Sequence, residues 1–316
     1  MPLRSVRSGN SDVPVTPNPA LQRRSLSLKV RPEFAMWCPY TDKEIDEAES
    51  NPEHILPLAL GGCNVFTIPV ARSANATIGS EIDGALANDP LIAFARREFD
   101  ARGHSGTPPR VILKRATFQD RPVQVTFPGG GRAPVIWAAK SRLDVSPEQV
   151  EGQQFSVKWS MPQFGRIRFA AKVALSAGFY ALGNYFREHV AHGEARRIMY
   201  SASYEDFKTI ASHVRTRVAD PFTPISEECH DLHSVISFSC TRIRGSVVLI
   251  LPGPTNLVIS VGVLGNYVGT LNMPADTSAF PGRPDYDLGH CLVVVDRQLE
   301  RLSFRDYLAK LHSSMP

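Results

Sequence analysis

Residues 51–83 read NPEHILPLALGGCNVFTIPVARSANATIGSEID, and the fold of this chain turns on how that stretch is parsed. Glu53 and His54 stand just before an apolar run, and Gly61 and Gly62 supply a tight turn. Asn64 follows His54 by ten residues and Asn75 by twenty-one. Strand, loop, strand and then a helix beginning near Asn75 would fold these four polar groups together. Taken singly, each has an ordinary use. A Glu-His pair suits an exposed loop, Asn64 a turn and Asn75 a helix cap. Their meaning is joint.

The wording EHILPLALGG at 53–62, followed by Asn64 and Asn75, resembles the HNH endonucleases and their ββα-metal fold. Carried over position by position, the resemblance implies that His54 is the general base. Glu53 takes the metal-binding place usually held by an Asp, Asn75 completes the metal site from the helix, and Asn64 steadies the loop that aims His54. The implied cofactor is a divalent ion, Mg²⁺ first and Mn²⁺ or Ni²⁺ as alternatives. The implied partner is nucleic acid, DNA ahead of RNA. Arg72, just before the expected helix, is a candidate phosphate contact from its charge and position, with a plain surface charge as the equal alternative.

The residue types suit that chemistry. Phosphodiester hydrolysis needs an activated water, a cation to neutralise developing negative charge, and a rigid frame. An imidazole can take the water's proton near neutral pH. Oxygen donors from a carboxylate and an amide suit a hard ion that keeps most of its waters. Many family members hold the hairpin with two CxxC zinc knuckles, whereas CPYT here has only Cys38, and Ala74 precedes Asn75. No structural zinc is expected. Met36, Trp37, Tyr40, Ile55, Leu58, Phe66, Ile68 and Ile78 are left to pack the frame. Glu53 in place of Asp motivates the rival reading, a nucleic-acid-binding or regulatory protein on the same scaffold without turnover.

The match spans about residues 36–90 of 316, so the rest must be read from pattern. With 43% hydrophobic and 21% charged residues the chain is globular and long enough for two domains. Residues 1–32 hold six basic residues and one acid, leaving the body nearly neutral although the whole carries +4. Residues 1–30 are expected to be a disordered basic tail, a solvated leader or an arm for phosphates. Five scattered cysteines with no CxxC pair favour a reducing, cytoplasmic setting, and no secretory signal is evident.

Residues 31–106 form the expected nuclease module, and 107–316 an α+β domain of unassigned role. In the latter, RVILKRATF, RPVQVTF, APVIWAA and QQFSVKW read as strands, with GGG at 129–131 as a turn. Residues 163–190 carry a long apolar helical pattern, the central helix. SVISFSC, SVVLILPG, NLVISVGVLG and YVGTLN read as an antiparallel series, followed by HCLVVVD and a C-terminal helix. Residues 245–275 lack any charge, yet Pro252, Pro254, Asn256 and Asn266 argue for buried strands, so no membrane span is expected. Arg166, Arg168 and Lys172 read as a polar helix edge facing water, with a nucleic-acid track as the alternative. His189 and His192 read as helix-end histidines, and Cys229, His230 and His233 as a loop.

Overall fold

The computed structural model describes residues 35–138, 143–145, 156–158, 162–210, 214–218, 232–278, 280, 286 and 288–313. The expected tail at 1–30 and residues Cys229 and His230 lie outside them. Strands β1 (Met36–Cys38) and β2 (Lys43–Ile45) pair antiparallel, as do β3 (Ser50–His54) and β4 (Thr67–Ala71). The chain passes directly from β4 into helix α1 (Arg72–Ile78), then through a π-helical turn at Gly79–Asp83 into α2 (Gly84–Ala87) and α3 (Pro90–Glu98). The strand, loop, strand and helix order read from 51–83 is present, with the helix starting at Arg72 instead of near Asn75.

The double glycine has a steric cause. Gly61 adopts φ +79°, and a Cβ on Gly62 would lie 1.6 Å from the Leu56 carbonyl oxygen. The loop therefore folds back onto its own entry strand, and Ser246 fixes it from across the molecule. Its hydroxyl donates to the Leu60 carbonyl at 3.0 Å and accepts from the Leu264 amide.

Five strands form a third antiparallel sheet: β5 (Val111–Phe118), β6 (Arg121–Phe127), β7 (Val135–Ala138), β8 (Leu143–Val145) and β9 (Ser156–Val157), in the order β8-β7-β6-β5-β9. Its core is small, built on Ala116, Phe118, Val123, Val125 and Ile136. There follow α4 (Gln163–Leu182), α5 (Asn184–His189), α6 (Gly193–Tyr200), α7 (Tyr204–Ile210), β10 (Arg215–Val218) and α8 (Leu232–Arg242). Then come β11 (Ser246–Pro252), β12 (Asn256–Val263), β13 (Asn266–Pro274), β14 (His290–Val295), β15 (Gln298–Ser303) and α9 (Phe304–Ser313).

Strands β10-β13-β12-β11-β14-β15 make one antiparallel sheet with helices on both faces. Val248 and Ile250 face α4, while Val247, Leu249 and Leu251 face Ile236 and Cys240 of α8 and Tyr307 of α9. With both pleat faces covered, neither can carry charge, which explains the charge-free run at 245–275. Two expectations need correction. SVISFSC is helix α8, because Ile236, Ser239 and Cys240 share one buried face and the Ser239 hydroxyl donates to the Val235 carbonyl. The central helix stops at Leu182, where Gly183 takes φ +56°, and α5 restarts beyond it.

Arg166 and Lys172 correct a third. Neither faces water: both are within 1% of complete burial. Arg166 makes a two-pronged pair with Asp89 at 2.7 and 2.9 Å, and the same carboxylate caps α3 through the Leu91 and Ile92 amides. Arg168 donates to the Met199 carbonyl and reaches Glu81 at 3.3 Å. Apolar side chains from both sides of Gly106, among them Phe66, Ile78, Phe169 and Val261, share one core, and Phe34–Pro316 is one compact unit. Among the described residues no helix is long and apolar enough to cross a membrane.

Gly178, near the C-terminal end of α4, marks how tightly that helix is packed. A Cβ there would lie 2.3 Å from the Phe186 ring. Gly178→Ala is therefore expected to destabilise the fold by about 1–3 kcal/mol despite the better helix propensity of alanine. A urea midpoint at or above wild type would contradict this.

Candidate functional site

Strand β3 decides which polar groups meet. Successive side chains on a strand point to opposite faces, so Glu53 and His54 cannot both look the same way. Glu53 is buried and His54 half-buried at the rim. His54 lies opposite Thr67, and an open groove of about 650 Å³ runs along the hairpin, lined in part by Met36, Glu47, Ser50, Pro52, Thr67 and Pro69.

Asn64 sits in the exposed turn before β4, and its Oδ1 lies 3.4 Å from His54 Nε2. The contact is long, and the tautomer of the ring sets its direction. With the proton on Nε2 the amide oxygen accepts it, and the Nδ1 lone pair is the one left to take a proton. A second imidazole stands beside this pair. The His104 ring packs edge-on against His54 with centroids 5.4 Å apart.

The two expected metal ligands are placed otherwise. The Glu53 carboxylate lies 2.6 Å from the Lys172 ammonium in the core. Lys172 Nζ also donates to the carbonyls of His54 at 2.8 Å and Ile55 at 3.2 Å, and lies 3.4 Å from Asp83. Asn75 donates to Asn51 Oδ1 at 3.0 Å and more weakly to the Pro52 carbonyl, tying α1 to β3. Arg72 is exposed and donates to the Ala48 carbonyl. His54 and Asn64 are thus brought together. Glu53 is directed away from them into the core, while Asn75 and Arg72 brace the hairpin.

Among the described residues no group of three or more His, Cys, Asp or Glu side chains is arranged to hold a metal ion. Glu53 and Asp83 are two carboxylates that share one fixed ammonium, Lys172, which occupies the place between them. As arranged, Glu53 and Asn75 do not fit a divalent ion shared with His54. Cys38, the lone cysteine of the CPYT segment, instead accepts the Ala71 amide through Sγ at 3.3 Å and is buried.

The pairing of Lys172 with Glu53, and His104 altogether, escaped the sequence reading. A lysine among Phe169, Ala171, Val173 and Leu175 was a readable signal, since an ammonium on a buried helix face requires a buried acid. His104 gave none, because its proximity depends on the path of a loop.

Burial raises the Asp83 pKa from 3.8 to about 6; Lys172 opposes this and Glu53 adds to it. For an acid whose folded pKa is raised, the folded state retains the proton longer, so its contribution to stability falls as pH rises from about 4 to about 6. Wild type is therefore expected to lose stability relative to Asp83→Asn across that window. Urea midpoints of both proteins at about pH 4 and about pH 6.5 test it, and a constant difference would refute it. No family model, curated protein or solved structure matches the chain.

Proposed function

We propose that this protein is a hydrolase acting on phosphodiester bonds of nucleic acid, DNA ahead of RNA, with His54 as the base that activates water. The observation that carries the reading is the pairing of His54 with Asn64 at the open rim of a strand–strand–helix unit. Resemblance of EHILPLALGG to the HNH endonucleases supports it from the sequence side. The roles are Nδ1 of His54 accepting the water's proton and Asn64 holding the ring by its other nitrogen. Arg72, exposed at the start of α1, is the proposed phosphate contact.

The Glu53 carboxylate is engaged by the Lys172 ammonium. An ion held by Glu53 would first have to displace that ammonium. The metal requirement is therefore read out directly: nicking of supercoiled plasmid by wild type and His54→Ala, each with Mg²⁺, Mn²⁺, Ni²⁺ and in chelator. Cleavage that depends on His54 supports the proposal.

The buried Glu53–Lys172 pair also favours a second reading, in which the same scaffold binds nucleic acid without turnover. Binding in chelator with no cleavage under any ion supports that reading against the first. A cytoplasmic setting belongs to the proposal and rests on the free thiols of Cys38, Cys63, Cys240 and Cys291.

A further inference from the structure

We propose that His104 is a second catalytic residue of this centre, the general acid that protonates the departing 3′ oxygen. This rests on the reading of His54 as the base. His104 comes from a part of the chain that carries none of the motif, yet its ring packs against that of His54 at 5.4 Å between centroids.

The loop that presents it is constructed, not incidental. Ala101 is buried, and its amide donates to the Arg96 carbonyl at the end of α3. The Gly106 amide donates to the Gly103 carbonyl, closing a turn with His104 at its second position, and Gly106 takes φ +66°. Arg102 spans that turn, donating to Asp100 at 2.9 Å and to the Gly106 carbonyl at 3.2 Å, while Arg297 reaches the Arg102 carbonyl at 3.4 Å. A Cβ on Gly103 would lie 3.6 Å from Ala59 in the loop that follows His54, so the two loops pass close to one another. His104 itself is exposed.

The chemistry needs such a group. An alkoxide is a poor leaving group, and something must take its charge as the P–O3′ bond breaks. The carboxylate expected to hold a cation for that purpose is bound to Lys172. A proton from an imidazolium meets the same need. The water oxygen bonds to phosphorus as the P–O3′ bond breaks, the water's proton passes to His54 Nδ1, and the proton of His104 passes to O3′. Exchange with solvent then returns both rings to their starting states.

The test compares two substrates that differ in leaving group. DNA must lose an alkoxide, whereas bis(p-nitrophenyl) phosphate loses a phenolate that departs without a proton. His104→Ala and His104→Asn are expected to lower kcat on DNA by about 10²-fold or more, with the loss on the aryl ester at least about tenfold smaller. His54→Ala should disable both substrates. Equal losses on the two substrates in the His104 variants, or none, would overturn the assignment while leaving the His54 reading in place. Wild-type rates in His54→Ala would remove the reading itself and this proposal with it. Circular dichroism melts of all variants guard against loss of fold.

Discussion

His54→Ala is expected to lower plasmid nicking by about 10²–10⁴-fold, the range for loss of a positioned general base, while the thermal midpoint stays near wild type. Both halves follow from the end of β3. The ring lies half-exposed at the rim beside Asn64 and His104, so removing it leaves no sealed cavity. What anchors the strand end is the His54 carbonyl, which accepts from Lys172 and is retained in alanine. Activity and stability should therefore separate. Nicking rates under each cation and a melting curve on the same preparation decide it. Undiminished cleavage would take His54 out of the mechanism, whereas a collapsed melt would make the ring structural.

Lys172→Met should do the opposite and cost about 3–5 kcal/mol of stability, because it strands the buried Glu53 and the half-buried Asp83 without a countercharge. Lys172 is fully buried, and its Nζ meets Glu53 at 2.6 Å, Asp83 at 3.4 Å and two backbone carbonyls. Burial alone would lower its pKa, but Asp83 and Glu53 outweigh that and hold it above the ordinary value, so the group stays charged. Adding Glu53→Gln and Asp83→Asn to Lys172→Met removes the stranded charges and should recover part of the loss. Urea unfolding of the single and triple variants measures this. A single-variant cost below about 1 kcal/mol would mean that water reaches the cluster.

The hairpin and first helix were legible because their causes are local. The double glycine, the apolar positions at Ile55, Phe66 and Ile68, and the step from β4 into α1 all lie within a short span. The direction of Glu53 was not legible. Its partner is on α4, far along the chain, and a strand residue can point inward only if something inside receives it. The same distance hid the roles of Arg166 and Lys172, whose buried acids sit on the other side of the sequence. SVISFSC misled for a different reason. Its alternation of serine with larger side chains imitates a strand, and only the sheet beneath, already filled by β11 and β12, leaves that segment to cover it as a helix.

Asp89 closes the first turn of α3 and at the same time neutralises Arg166 on α4, while Ser246 on β11 grips the loop after His54. These stitches join distant parts of the polypeptide through its interior. The rim bearing His54 is therefore not a cassette that could be excised near residue 106 and grafted elsewhere. Its shape is borrowed from the later half of the chain, and evolution could vary the one only by accommodating the other.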